Sequence, residues 1–217
     1  MAPSVRTLPR VVPAAVDKPV RPEAAGNQEL MATLAVDPSA WTTELADLTA
    51  QAFDAMAQSW NGERGGYRPA PLIDALDRGG PFPGGNCLEL GCGTGLLTPY
   101  IESRWPRPIS VDLSAAMLQR AESPLRVRVD ASTLPFASDS FMAVVIGDGP
   151  LFASEVTRVL ASGGVLVWSN ALGRGAPYFV ETSLLLDALG RVEPDGAWQA
   201  TESEASWGSW VVLRRAA

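Results

Sequence analysis

The chain reads as an α/β fold, a doubly wound sheet of about seven strands, parallel except for a C-terminal antiparallel hairpin. Three observations carry that reading. From residue 86 onward short apolar strands alternate with helical segments, the pattern of a parallel sheet covered on both faces. A glycine-rich turn, 88-LELGCGTGLL-97, follows the first of those strands, where open α/β sheets place their ligands. The final two strand-like runs, 197–203 and 208–215, are separated by only four residues, which suits a hairpin and excludes a crossover.

Taken in order, residues 1–38 read as a tail, disordered or extended on the body. They carry Pro3, Pro9, Pro13, Pro19 and Pro22, and Arg6, Arg10, Lys18 and Arg21 balance Asp17, Glu23, Glu29 and Asp37. Over 41–60 Leu45, Leu48, Phe53, Met56 and Trp60 recur at helical spacing, and 61-NGERGG-66 closes that helix. A second helix over 70–80 stops at paired glycines, and 81-PFPGG-85 is a turn. Strands are expected at 87–90, 109–112, 126–129, 142–147 and 163–168. Helices are expected at about 96–104, 114–121, 151–160 and 178–189, with 131–141 mostly loop.

Composition narrows the function. The 217 residues are 47% hydrophobic, enough for a substantial core. A formal charge of −7 argues against nucleic-acid partners, which select a basic face. The two cysteines, Cys87 and Cys92, lie too close for a useful disulfide, and no histidine exists to complete a metal site. Free thiols point to a reducing, cytoplasmic setting. No run reaches the roughly 20 apolar residues that cross a bilayer. The absence of histidine also excludes Ser-His-Asp and Cys-His nucleophiles and a histidine base.

The glycine turn then selects among nucleotides. A phosphate-cradling loop of the G-x-x-x-x-G-K-[ST] type needs a lysine that the turn lacks. A dinucleotide fingerprint places its third glycine where Leu96 stands. The carboxylate of Glu89, ahead of Gly91, Gly93 and Gly95, favours a ligand with a positive group.

The order acid-x-Gly-x-Gly-x-Gly resembles motif I of the class I S-adenosylmethionine-dependent methyltransferases, and the resemblance runs from about residue 86 to 170. It implies a Rossmann-like domain over 81–217, with an N-terminal helical lid over 39–80. S-adenosyl-L-methionine is the implied cofactor. Glu89, Gly91, Cys92 and Gly93 are implied as its contacts at the turn. In 111-VDLSAAMLQRA-121, Asp112 matches the acid that grips the ribose hydroxyls, with Leu113 and Met117 against adenine and Ser114 as a helix N-cap. In 130-DASTLPFASDSF-141, Asp130 matches the acceptor for the adenine amino group, and Ala131 supplies a backbone contact. Gly147 is expected to pass its carbonyl near the amino-acid end. The stretch 155-EVTRVLASGGVLVW-168 is also similar to the family's, with Glu155 and Arg158 structural in character.

The chain departs from the family at Met142, at Ser162 and in the short segment 147-GDGPLFAS-154. Asp148 there is the one catalytic candidate, though D-G-P-L is also a common turn, and the turn is the favoured reading. Trp60 and Tyr67 are candidates for the sulfonium or acceptor pocket, against a plain role in lid packing. Trp198, Trp207 and Trp210 are read as sheet packing or a homodimer surface. The expected activity is in-line methyl transfer to a small-molecule acceptor, with no metal, nucleic acid or membrane partner. The alternative is a non-catalytic cofactor-binding or partner protein on the same fold.

Overall fold

The computed structural model describes residues 4–14, 24–194 and 198–216. One sheet of eight strands organises the chain. In chain order the strands are β1 (Ser4–Thr7), β2 (Cys87–Leu90), β3 (Ile109–Asp112), β4 (Arg126–Arg128), β5 (Phe141–Gly147), β6 (Leu160–Asn170), β7 (Trp198–Ala205) and β8 (Gly208–Arg215). Their spatial order is β1-β7-β8-β6-β5-β2-β3-β4. Among the described residues only β8 runs against the rest: it pairs antiparallel with both β6 and β7, while the other pairings are parallel.

The inner strands are buried on both faces, as a parallel sheet between helix layers requires, while the edge strands β1 and β4 are exposed. In β5 the alternation is visible residue by residue. Val144 and Ile146 join the larger apolar cluster, and Ala143 and Val145 join the smaller one on the opposite face. The larger cluster takes residues from α1 (Ala24–Val36), α7 (Ala153–Val159) and α8 (Thr182–Val192); the smaller takes them from α4 (Pro69–Arg78) and α5 (Thr98–Glu102). Fully burying a side chain such as Leu166 or Leu88 contributes about 2 kcal/mol.

The N-terminal region, expected as a disordered tail or an extended arm on the body, includes one strand and one helix. Ser4–Thr7 is an edge strand beside β7, extended by the Leu8 N–H bond to the Glu202 carbonyl at 2.8 Å. All four of its residues are exposed, so no apolar alternation marked it. Ala24–Val36 is a helix that buries Met31 and Leu34 against the sheet layer. Its Gln28 amide donates to the Ala176 carbonyl at 2.7 Å, tying the helix to the loop after β6. Residues 15–23 lie outside the described residues.

The expected 41–60 helix is two pieces, α2 (Thr43–Met56) and α3 (Trp60–Arg64). The break falls before the glycines, at 57–59, where the Ala57 and Ser59 N–H groups make short-range bonds to Asp54 and Met56. Residues buried along α2 are Ala46 and Ala50, while Leu48 is 56% exposed. Small residues let α2 approach α6 (Ala115–Arg120), and its large apolar side chains are left to face a cavity. The α4 helix, assigned to the lid from sequence, instead covers the sheet. Leu72 and Ala75 are fully buried, and Asp74 takes two bonds from Arg78 and one from the Trp210 indole at 2.6 Å. Among the described residues no helix is long and apolar enough to cross a membrane.

Candidate functional site

The site forms where four adjacent strands end. β2 sits at the middle of this group, between β3 and β5, and its chain reverses through the glycine turn. Gly91 and Gly93 hold φ of +68° and +56°, a backbone that side chains rarely adopt. A Cβ on Gly91 would meet nothing within 4 Å, so it would project into open space. The turn is fastened by the Cys92 N–H to the Val111 carbonyl at 3.0 Å.

Glu89 lies beneath the turn, only 3% exposed. Its Oε2 accepts from the Thr98 hydroxyl at 2.7 Å and the Ser110 hydroxyl at 2.8 Å. Its Oε1 is buried and has no partner among the described residues. Burial pushes the carboxyl up to about 7, against the pull of the Thr98 and Ser110 hydroxyls.

At the end of β3 the Asp112 carboxylate accepts the Gly93 N–H at 2.7 Å and the Ser114 N–H at 2.8 Å. Burial raises its pKa, and those backbone donors oppose the rise. Ser114 caps α6 by accepting from the Met117 N–H at 3.1 Å. Its hydroxyl donates to Asp54 of α2, which also accepts from the Ala116 N–H. These contacts, led by the Ser114 hydroxyl, lower the Asp54 pKa.

Beyond β4 the Asp130 carboxylate receives the Trp41 indole N–H at 2.9 and 3.1 Å and the Ser132 N–H at 2.8 Å. Beyond β5 the Asp148 side chain is fully engaged. Arg68 pairs with its Oδ2 at 3.1 Å, and the Ala171 N–H reaches its Oδ1 at 3.0 Å. Arg68 also donates to the Gly147 carbonyl at 3.1 Å. Asn61 of α3 bonds the Thr94 hydroxyl at 2.5 Å. Each strand-end loop is thus held by one residue of the N-terminal segment: Asn61, Asp54, Trp41 and Arg68.

Together these elements enclose a cavity of about 470 Å³. Gly91, Gly93, Asp112, Leu113, Met117, Asp130, Ala131, Gly147 and Asp148 all line it, with Trp60 and Tyr67. Two expected contacts do not reach its wall. Cys92 turns its buried thiol toward the Gly93 carbonyl at 3.6 Å, and Glu89 points into the layer between the turn and α5. Trp60 packs edge-on against Phe53 at 5.6 Å, under the Arg64 guanidinium at 4.1 Å. Tyr67 packs against Trp207 at 6.1 Å. The other hairpin tryptophans, Trp198 and Trp210, are buried within the chain. Among the described residues no cluster could hold a metal ion.

Sequence reasoning missed Trp41, Asp54, Arg64 and Arg68. Only a helical spacing links Arg64 to Arg68, and nothing local marks Trp41 or Asp54 as partners of distant loops.

The walls fit an adenosine carrying a charged amino-acid tail. They offer an open cradle at Gly91, carboxylates at two strand ends and a carbonyl at a third.

Residues 88–168 match the family described as a methyltransferase domain. The chain is 31% identical over 141 residues to a trans-aconitate 2-methyltransferase of Pseudomonas paraeruginosa, covering 59% of this chain and 50% of that protein. It is 27% identical over 176 residues to a malonyl-[acyl-carrier protein] O-methyltransferase of Serratia marcescens, covering 73% and 63%. The chain spans about half the length of the first curated relatives it matches. A solved DhpI–SAH complex shares the fold with a TM-score of 0.65 at 18% identity, over 81% of this chain and 99% of that one.

Proposed function

We propose, from the premise that the chain belongs through residues 88–168 to the class I methyltransferase-domain family, that it binds S-adenosyl-L-methionine and methylates a small molecule. The observation that carries this is the convergence of the glycine turn, Asp112, Asp130 and the Gly147 carbonyl on one cavity. Asp112 would hold the ribose hydroxyls, Asp130 the adenine amino group and Gly147 the ammonium, with Leu113, Met117 and Ala131 beside the base. When bound, the cofactor supplies a methyl group already activated by its positive sulfur. The protein's own part is to orient, to close over the site and to exclude water. The N-terminal segment from Trp41 to Arg68 supplies that cover. The finer division proposed here keeps 39–80 as cover and 81–217 as the binding domain, with α4 serving the sheet. A cytoplasmic setting and a possible homodimer are part of the same proposal.

Asp148 is tied down on both oxygens, which supports its reading as a turn residue and leaves the catalytic group unassigned. That same observation favours a second reading, cofactor binding without turnover. Calorimetric titration with S-adenosylhomocysteine, followed by labelled-methyl transfer over an acceptor panel, separates the two. Binding with transfer supports the enzyme, binding alone supports the second reading, and no binding overturns both.

Trp41 offers a sharper check on the adenine end. Trp41→Phe keeps a ring but removes the N–H that holds both Asp130 oxygens. The loss of one orienting bond to a carboxylate is expected to weaken S-adenosylhomocysteine binding roughly fivefold. Unchanged or tighter binding would show that Trp41 competes with the ligand for Asp130.

A further inference from the structure

Two guanidiniums line the cavity, and they differ in what already satisfies them. Arg68 is committed to Asp148 and the Gly147 carbonyl. Arg64 is not comparably matched. Its side chain is 12% exposed and lies over Trp60, with its guanidinium carbon 4.1 Å from the ring centroid. Its Nη1 pairs with Glu63, the preceding residue, whose side chain is 51% exposed. Among the described residues its Nη2 meets only the Met56 sulfur at 3.8 Å, a weak acceptor.

A guanidinium this enclosed is costly unless its donors are used. The half-exposed Glu63 answers one of its two terminal nitrogens and leaves the other facing only a weak sulfur acceptor among the described residues. What remains is a planar fork on an aromatic shelf, turned to a cavity whose other charges are the carboxylates of Asp112, Asp130 and Asp148 and the paired Arg68. Such a fork fits a carboxylate in bidentate fashion. It would also offset the repulsion that three acids exert on an anionic ligand.

We propose that Arg64 is the carboxylate receptor of this cavity. The inference rests on the methyltransferase reading and supplies one residue to it. The carboxylate has two sources: the amino-acid tail of the cofactor, or an acidic methyl acceptor. The second calls for no base. A carboxylate oxygen forms the O–CH3 bond as the methyl–sulfur bond breaks, the electron pair goes to sulfur, and no proton has to move.

The test compares wild type, Arg64→Gln and Arg64→Lys. S-adenosylhomocysteine and 5′-methylthioadenosine, which lacks the amino-acid tail, are titrated by calorimetry, the second ligand also reporting that each variant is folded. Transfer is measured to a panel of carboxylic acids, each set against its primary amide. If the cofactor is the source, Arg64→Gln loses about tenfold or more in S-adenosylhomocysteine affinity while 5′-methylthioadenosine is unaffected. If the acceptor is the source, both ligands bind normally and the KM for acids alone rises by a similar factor. In either case Arg64→Lys recovers part of the loss, since it keeps the charge without the fork. Unchanged affinity and unchanged KM in Arg64→Gln overturn the assignment of Arg64 alone. Wild-type protein that binds neither adenosine ligand overturns the methyltransferase reading, and this inference with it.

Discussion

Asp112→Ala is expected to weaken S-adenosylhomocysteine binding by roughly a hundredfold, because two functions are lost together. The carboxylate fixes the glycine turn through the Gly93 N–H and starts the following loop through the Ser114 N–H. It also lines the cavity, where the ribose hydroxyls would donate to it. Alanine removes the anchor and the acceptor at once. Asp112→Asn separates these roles, keeping shape and one acceptor oxygen but losing the charge. Its expected loss is about tenfold. Calorimetry at about pH 8 reads both. An Asp112→Ala variant that binds within about threefold of wild type would remove the ribose assignment, since a single charge-assisted bond exceeds that.

The second large effect is on stability, through Glu89. Burial raises its carboxyl from 4.5 to about 7, so between those values the folded chain holds a proton that the unfolded chain has released. Stability from this group is therefore full below about pH 4.5 and is lost as pH rises through about 7. The span corresponds to about 3 kcal/mol. Glu89→Gln removes the titration while its amide oxygen can still accept from Thr98 and Ser110. Urea denaturation at pH 5.5 and pH 8 should show wild type losing stability across the interval and the variant remaining nearly flat. Parallel profiles for the two proteins would show that Glu89 is ionised in the fold throughout.

The central sheet was legible because its physics is local. Strands β2 and β5 and the second half of β6 are short apolar runs bounded by turn residues, and the hairpin alternates within one contiguous segment. The strand-end acids were legible because the motifs fix their place in order. What stayed hidden depends on contacts between distant parts of the chain. Ser4–Thr7 becomes a strand only because β7 offers an edge. Trp41 and Asp54 matter only because folding carries them to loops beyond β4 and β3. The 41–60 pattern was read as a helix with an apolar side, and its large apolar side chains line the cavity while Ala46 and Ala50 are buried in the protein. Periodicity reports that a helix has an apolar side; it does not report whether protein or ligand will cover it. Cys92 shows the same limit, since its place inside the turn said nothing of where the thiol would point.

The most direct test of the account is calorimetric titration of the wild-type chain with S-adenosylhomocysteine and, separately, with a nicotinamide dinucleotide. The account predicts saturable one-to-one binding of the first, weakened roughly a hundredfold in Asp112→Ala, and no heat from the second. Binding of the dinucleotide, or no binding of S-adenosylhomocysteine by a folded protein, would contradict it.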